Sequence, residues 1–288
     1  MQRTCPVCGA SWFLLIFHDH NRREGYTELE WDYVRCTACN MQYLTNIPSF
    51  EEMGGKYTDI YINPNIGELR SKLKNDIISN GKKILDIWCN YGTQLIPYYN
   101  GGWDIFGIDL NEKAIMDVQK YLPVNNFSVN TIEDSTFPDE YFQKIQTFHV
   151  LEHVYEVESF LKKCLSLLAP DGEIEIRVPN GWNLEMKLFW KYASQSWIPF
   201  HINLFTSETL QIMLKKVGFR EITVRTSPIP WWWILSFRQW MGTINERRGV
   251  TNFTQNIFHK GIQVLLYPFL WIVSLFWYGE ELIGIAKK

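Results

Sequence analysis

The sequence has no excess of charge of either sign: 28 Lys and Arg stand against 31 Asp and Glu, a net charge of −3 over 288 residues. That balance excludes a generally basic nucleic-acid binder, and a hydrophobic share of 46% excludes a disordered or collagen-like chain. Internal repeats and low-complexity tracts are absent. The amino terminus lacks an apolar run, since Met1 to Cys8 is polar, so no signal peptide is expected. Cysteine is sparse at six residues, and without a secretory signal a disulfide framework is not expected. A reducing, cytoplasmic compartment fits better. One feature is in excess. Aromatic residues make up 16% of the chain and include thirteen Trp, a residue that favours cores, interfaces and the membrane boundary.

Four of the six cysteines form two knuckles, Cys5-Pro-Val-Cys8 and Cys36-Thr-Ala-Cys39. Zinc takes four thiolates in a tetrahedron, and two C-x-x-C pairs supply them. The spacing predicts a structural zinc ribbon over residues 1–48, with Cys5, Cys8, Cys36 and Cys39 as ligands. Four protein ligands leave no open position, so the metal would stabilise rather than catalyse. The ribbon offers no basic stripe for nucleic acid: Arg22, Arg23 and Arg35 are offset by Asp19, Glu24, Glu28, Glu30 and Asp32. Residues 49–78 follow as a polar linker or helical cap.

From about residue 79 strands and helices alternate. Lys83–Trp88, Trp103–Leu110, Phe127–Ile132, Ile145–Leu151 and Glu173–Val178 are expected strands, with Glu221–Arg225 and Glu281–Ala286 as late ones. Asn111–Lys120, capped by Asn111, and Glu158–Leu168, ending at Ala169-Pro170-Asp171-Gly172, are expected helices. So is Thr206–Val217, closed by Gly218. The alternation predicts an α/β class, Rossmann-like doubly wound fold over 79–288, with a mostly parallel sheet covered on both faces.

In such a fold ligands sit outside the carboxyl ends of the strands. The first strand there leads into Ile84-Leu85-Asp86-Ile87-Trp88-Cys89-Asn90-Tyr91-Gly92-Thr93. About twenty residues on, Gly107-Ile108-Asp109-Leu110 ends the second strand with a carboxylate suited to ribose hydroxyls. With Glu133–Phe142, His149-Val150-Leu151-Glu152-His153, Leu167–Asn180 and the run from His201 to Phe219, the order of motifs resembles a class I S-adenosylmethionine-dependent methyltransferase. The resemblance is closest to the subgroup with an amino-terminal zinc ribbon, and it covers most of the chain outside roughly 228–278.

The resemblance implies S-adenosylmethionine as cofactor and assigns roles to individual residues. Asp86 would orient the methionine end, Gly92 would allow close approach, and Asp109 would hold the ribose. Thr131, Ile132 and Asp134 would flank the adenine, and His149 would lie beside the reactive methyl group. Trp88 and Asn90 stand where the family has glycine in the first turn. Asn tolerates a left-handed backbone; an indole at 88 is expected to fill the pocket or force the loop aside. Gln143 replaces a family Asp. Methyl transfer needs alignment more than acid–base groups, but a hydroxyl acceptor gains from a nearby base. His149, His153 and His201 are the candidates, with Glu152 to orient an imidazole. The acceptor implied is a small or lipid-linked metabolite, sugar or quinone-like. The rival reading is a degenerate scaffold of the same fold, at a membrane surface, without cofactor.

Six Trp (231, 232, 233, 240, 271 and 277) fall within 228–278, between the last two expected strands. Arg238, Arg247, Arg248 and Lys260 make that insertion basic. Ile262–Tyr278 has 17 residues, contains Gln263 and is broken by Pro268, at the lower limit for a span. If both flanking strands share one sheet, the insertion leaves and returns on one side, which excludes a single crossing. Two expectations stay open: peripheral contact with the inner face of a membrane, or packing on the domain, over the active site or on a second copy in a homodimer.

Overall fold

The structure, a computed structural model, describes residues 3–20, 30–49, 53, 65–241 and 257–288. Arg22, Arg23, Glu24, Glu28, residues 50–52 and 54–64 of the linker, Arg247 and Arg248 lie outside the described residues, as does the side chain of Lys260. In chain order the elements are β1 (Phe13–His20), β2 (Glu30–Cys36), β3 (Gln42–Leu44), α1 (Ile66–Ser71), β4 (Lys83–Ile87), α2 (Ile96–Asn100), β5 (Asp104–Asp109), α3 (Glu112–Val118), β6 (Phe127–Val129) and β7 (Phe142–Phe148). They continue with α4 (Val157–Leu167), β8 (Leu168–Pro179), α5 (Leu184–Phe189), β9 (Asn203–Leu204), α6 (Ser207–Val217), β10 (Arg220–Ser227), α7 (Pro230–Trp240), α8 (Ile257–Leu275) and β11 (Glu281–Lys287).

The main sheet runs β10-β11-β8-β7-β4-β5-β6. From β8 to β6 the strands are parallel, and β11 and β10 add an antiparallel edge. Ile84 and Leu85 are adjacent on β4 and point to opposite faces, yet both are fully buried. That is the mark of a sheet covered on both sides. Leu85, Ile108 and Ile145 pack with Leu161 and Leu214 of the helices on one face. Ile84, Ile105 and Phe127 pack with Val118 and Leu122 on the other. The expected α/β class and the doubly wound topology are what the chain forms.

Three expected elements differ in extent. The strand expected at Ile145–Leu151 occupies Phe142–Phe148. His149 turns into the left-handed region at φ 57°, and Leu151–His153 forms a single helical turn. The strand expected to reach Ile132 stops at Val129: the Asn130 N–H makes the last rung to Asp109 O, and beyond it Thr131 and Asp134 bond each other. The expected break at Ala169–Gly172 lies within β8, where Asp171 takes φ 60° and the register against β7 shifts. Pro268 does not break α8, which runs through it. The caps match expectation: Asn111 Oδ1 accepts the Ala114 N–H at 3.0 Å, and Gly218 closes α6 at φ 115°.

The amino-terminal sheet runs β1-β2-β3-β9, all antiparallel. Its last strand comes from the main domain. Arg3 bonds Ile202 O at 3.1 Å and Asn203 Oδ1 at 2.9 Å, and Gln42 donates to Gly181 O at 2.6 Å. Cys5, Cys36 and Met41 share one buried cluster with Phe205, Leu210 and Leu214 of the main domain.

Candidate active site

The loop after β4 carries Trp88 at φ 59°, Asn90 at φ 49° and Gly92 at φ 64°. All three lie in the left-handed region, so the tryptophan holds a backbone conformation that glycine adopts at no steric cost. Gly92 has a second constraint: a Cβ there would lie 2.7 Å from Val118 Cγ2 and 3.0 Å from Leu122 Cδ1. The loop is fastened to the next strand by Asp109. Its Oδ2 accepts the Asn90 N–H and its Oδ1 the Asn111 N–H, each at 2.8 Å. Asp109 is buried, and burial raises its pKa despite those donors. Asp86, buried at the end of β4, is pushed up to about 8 by burial, with Asp109 adding to the shift.

At the carboxyl ends of β4 and β5 lies a cavity of about 380 Å³. Trp88, Leu110, Thr131, Ile132, Glu133 and His153 form part of its wall, together with the turn from Val154 to Glu156 and Ser159 and Phe160 of α4. The structure therefore brings together four of the sequence-predicted residues, Trp88, Thr131, Ile132 and His153. The Trp88 indole stacks on the His153 ring with centroids 5.5 Å apart and planes 23° apart. It forms one wall and leaves the cavity open. Asp134 stands beside this wall, its carboxylate accepting the Thr131 hydroxyl at 2.9 Å. Asp86, Asn90, Gly92 and Asp109 do not line the cavity: Asn90 and Gly92 belong to the loop, and Asp109 fastens it to β5.

The three histidines gather around Glu152, which is fully buried. His149 bridges two carboxylates: Nδ1 lies 3.3 Å from Glu152 Oε1 and Nε2 3.1 Å from Glu281 Oε1. Burial lowers its pKa, but the two carboxylates override this and raise it to about 10. The two carboxylates thus favour the imidazolium form of His149. His153 and His201 behave oppositely. Each donates Nδ1–H to a backbone carbonyl at 2.8 Å, Phe200 O and Gln195 O respectively, which leaves Nε2 as the basic nitrogen. Burial lowers both, His201 to about 3. Their rings are 4.9 Å apart, and Trp197 packs edge-on against both. Only His153 reaches the cavity. Glu152 is held below its usual range: burial raises it, but the neighbouring histidines outweigh that. Its Oε2 has no hydrogen-bond partner among the described residues.

Sequence reasoning missed Leu110, the wall from Val154 to Glu156 with Ser159 and Phe160, and Glu281. Leu110 adjoins Asp109, and the wall follows His153 in the chain, so both follow from adjacency. Glu281 does not, because it meets His149 only through the pairing of β11 with β8. A second link was equally hidden: Trp232 of α7 meets the His149 ring edge-on at 5.8 Å, so the insertion touches the histidine cluster.

The four cysteines of the ribbon converge. Cys5 Sγ lies 3.5 Å from Cys39 Sγ, and Cys8 Sγ lies 3.5 Å from Cys36 Sγ. All four sulfurs lie within 4.8 Å of one another, and none is in a disulfide. Tetrahedral zinc with Zn–S bonds of about 2.3 Å sets sulfurs about 3.8 Å apart, so the donor set and spacing fit that ion. Cys89 and Cys164 are buried elsewhere in the domain.

Residues 62–224 match the family described as methyltransferase domain. The chain is 29% identical to the ubiquinone biosynthesis O-methyltransferase of Actinobacillus pleuropneumoniae serotype 5b over 143 residues, 44% of this chain and 61% of that one. It is 30% identical to the mitochondrial ubiquinone biosynthesis O-methyltransferase of Bos taurus over 124 residues, 40% of this chain and 34% of that one. The matches thus span less than two thirds of these relatives' lengths. Among solved structures, phosphoethanolamine N-methyltransferase 2 of Haemonchus contortus, in complex with S-adenosyl-L-methionine, superposes with a TM-score of 0.50. It has 14% identity and covers 96% of this chain and 68% of that one. At that identity the likeness concerns the fold.

Proposed function

The chain belongs to the methyltransferase-domain family, and from that premise we propose that it transfers the methyl group of S-adenosylmethionine to an oxygen or carbon of a small or lipid-linked acceptor. The observation that carries this is the cavity at the carboxyl ends of β4 and β5, with Thr131 and Ile132 on one wall and the Asp109-fastened loop behind it. Thr131 and Ile132 would flank the adenine with Asp134 bracing Thr131; Asp109, whose carboxylate accepts the Asn90 and Asn111 N–H groups, would set the loop against the ribose, and Asp86 would steady the methionine end from behind. The left-handed turns at Trp88, Asn90 and Gly92 bring backbone toward the cofactor. When bound, S-adenosylmethionine supplies an electrophilic methyl group on a sulfonium sulfur.

The histidine cluster then divides its labour. A base must be neutral before it can take a proton. His153 meets that condition and borders the cavity, so it takes the proton of an acceptor hydroxyl through Nε2. His149, with both ring nitrogens engaged by Glu152 and Glu281, does not touch the acceptor; it fixes Glu152 among the histidines. His201 packs His153 into place. Relatives named ubiquinone biosynthesis O-methyltransferases favour a hydroxyl on a quinone-like ring as acceptor. Cys5, Cys8, Cys36 and Cys39 would hold a structural zinc.

Calorimetric titration of the full chain with S-adenosylmethionine tests the reading. A saturable heat is expected, and Asp109→Asn is expected to weaken it about tenfold, the range of one hydrogen bond to a charged group. A chain that gives no heat and no thermal shift would be a scaffold with a cavity walled by Trp88, and the enzymatic reading would be abandoned.

A further inference from the structure

The insertion between β10 and β11 ends in two helices whose outer surface is apolar. In α8, Val264 is 71% exposed, Leu265 80% and Phe276, just beyond its end, 66%. Tyr267, Phe269, Trp271, Ile272 and Leu275 are exposed beside them, and Phe237, Trp240 and Met241 continue the surface from α7. At about 100° per residue, the exposed side chains of α8 spread over roughly 200° of its circumference. A helix that packs on one partner shows an apolar stripe about 100° wide. Here only the opposite side is engaged, with Leu270 and Ser274 buried.

The root of this prominence is rigid. Glu280 accepts the Trp233 Nε1–H at 2.5 Å and the Ile229 N–H at 2.7 Å. Asn180 donates to Trp277 O and Gly279 O, and buried Ser236 bonds Glu185. Around the root stands an aromatic and cationic rim. The Lys187 ammonium lies 4.1 Å from the Trp182 ring centroid and 4.3 Å from that of Tyr278, with Trp190 and Lys191 alongside. Neither α7 nor α8 contains an acidic residue, and Glu185 of α5 is buried.

From this arrangement we infer that α7 and α8 form a monotopic anchor that lies in the interface of an anionic lipid bilayer. A helix apolar over most of its girth suits a medium that surrounds it, whereas a second copy would cover one stripe. Tryptophan and tyrosine belong at headgroup level, and Lys187 and Lys191 face anionic phosphates there. No described helix is long and apolar enough to cross a membrane. Because β10 pairs directly with β11, the insertion leaves and returns at one sheet edge. The anchor lies on the bilayer. Trp232 connects it to His149, so the surface also points to an acceptor dissolved in lipid; that last step rests on the methyltransferase reading.

Flotation of the full chain with vesicles of phosphatidylcholine and phosphatidylglycerol tests the anchor. The chain is expected to float, and less so with phosphatidylcholine alone. Leu265→Glu with Ile272→Glu is expected to lower partitioning at least about tenfold, since two large apolar side chains leave the interface. Quenching of tryptophan fluorescence in the unmodified chain by brominated lipid gives a reading that needs no variant. A chain that neither floats nor is quenched, or a variant that floats equally, overturns the anchor. So does light scattering that finds a lipid-free dimer dissolved by the same substitutions. Cofactor heat without flotation sinks the anchor alone, and flotation without cofactor heat sinks only the methyltransferase reading.

Discussion

His201 shows how burial sets a single residue's chemistry. It is almost fully enclosed, its Nδ1–H spent on Gln195 O, and its pKa falls to about 3 in the folded chain against 6.5 for an ordinary imidazole. The unfolded chain therefore binds a proton below pH 6.5 that the folded chain refuses. The stability this residue contributes is complete above 6.5 and is lost as pH falls toward 3, at up to about 1.4 kcal/mol per pH unit. His153 adds to the slope in the same direction. His149, with its raised pKa, opposes this slope only above about pH 6, because its contribution is complete well below 6.5 and fades as pH rises toward 10. Urea unfolding between pH 6 and pH 5, where His149 is protonated in both states, should show this slope, and His201→Gln should flatten it. Parallel slopes for the two chains would show that the buried imidazole does not titrate on unfolding.

At the scale of elements, α6 shows how local sequence and packing agree. Thr206 Oγ1 accepts the Thr209 N–H at 3.2 Å, and Thr209 Oγ1 accepts the Thr206 N–H at 2.8 Å, a reciprocal cap. Leu210, Met213, Leu214 and Val217 then turn inward onto the sheet. Thr206→Ala is expected to cost about 1 kcal/mol in a denaturation midpoint. A variant with an unchanged midpoint would mean that packing alone sets where α6 begins. The insertion is the opposite case. Its composition announced an apolar segment, but whether Pro268 stops the helix depends on what lies around it, and α8 passes through the proline.

For the whole molecule, the decisive feature is the continuity between ribbon and main domain. β9 of the domain completes the ribbon's sheet, and Asn203 on that strand donates to Leu151 O at 3.2 Å and Val154 O at 2.7 Å, in the turn that forms the cavity wall. Zinc bound by the four cysteines would therefore support the cavity from a distance. Calorimetric melting is expected to show one transition that moves down as a whole when metal is chelated. The loss should be about 4 kcal/mol where free zinc exceeds its Kd about 1,000-fold. Two separate transitions, with only the smaller one sensitive to chelator, would show that the ribbon folds independently.

The sequence alone determined whatever depends on local spacing. The paired cysteines, the alternation of strands and helices, the helix ends at Asn111 and Gly218, and the acids Asp86 and Asp109 near the ends of their strands are all properties of neighbouring residues. Tertiary structure decided what depends on distant ones. Trp88 stands at a position where glycine is expected; only the fold shows that its backbone takes the glycine conformation while its ring lies on His153. The three histidines look interchangeable in sequence. Glu281, brought from the far end of the chain by strand pairing, joins Glu152 in raising the His149 pKa, while burial lowers those of His153 and His201. A side chain's charge follows from its surroundings in space, and for these residues the surroundings are assembled from segments far apart in the chain.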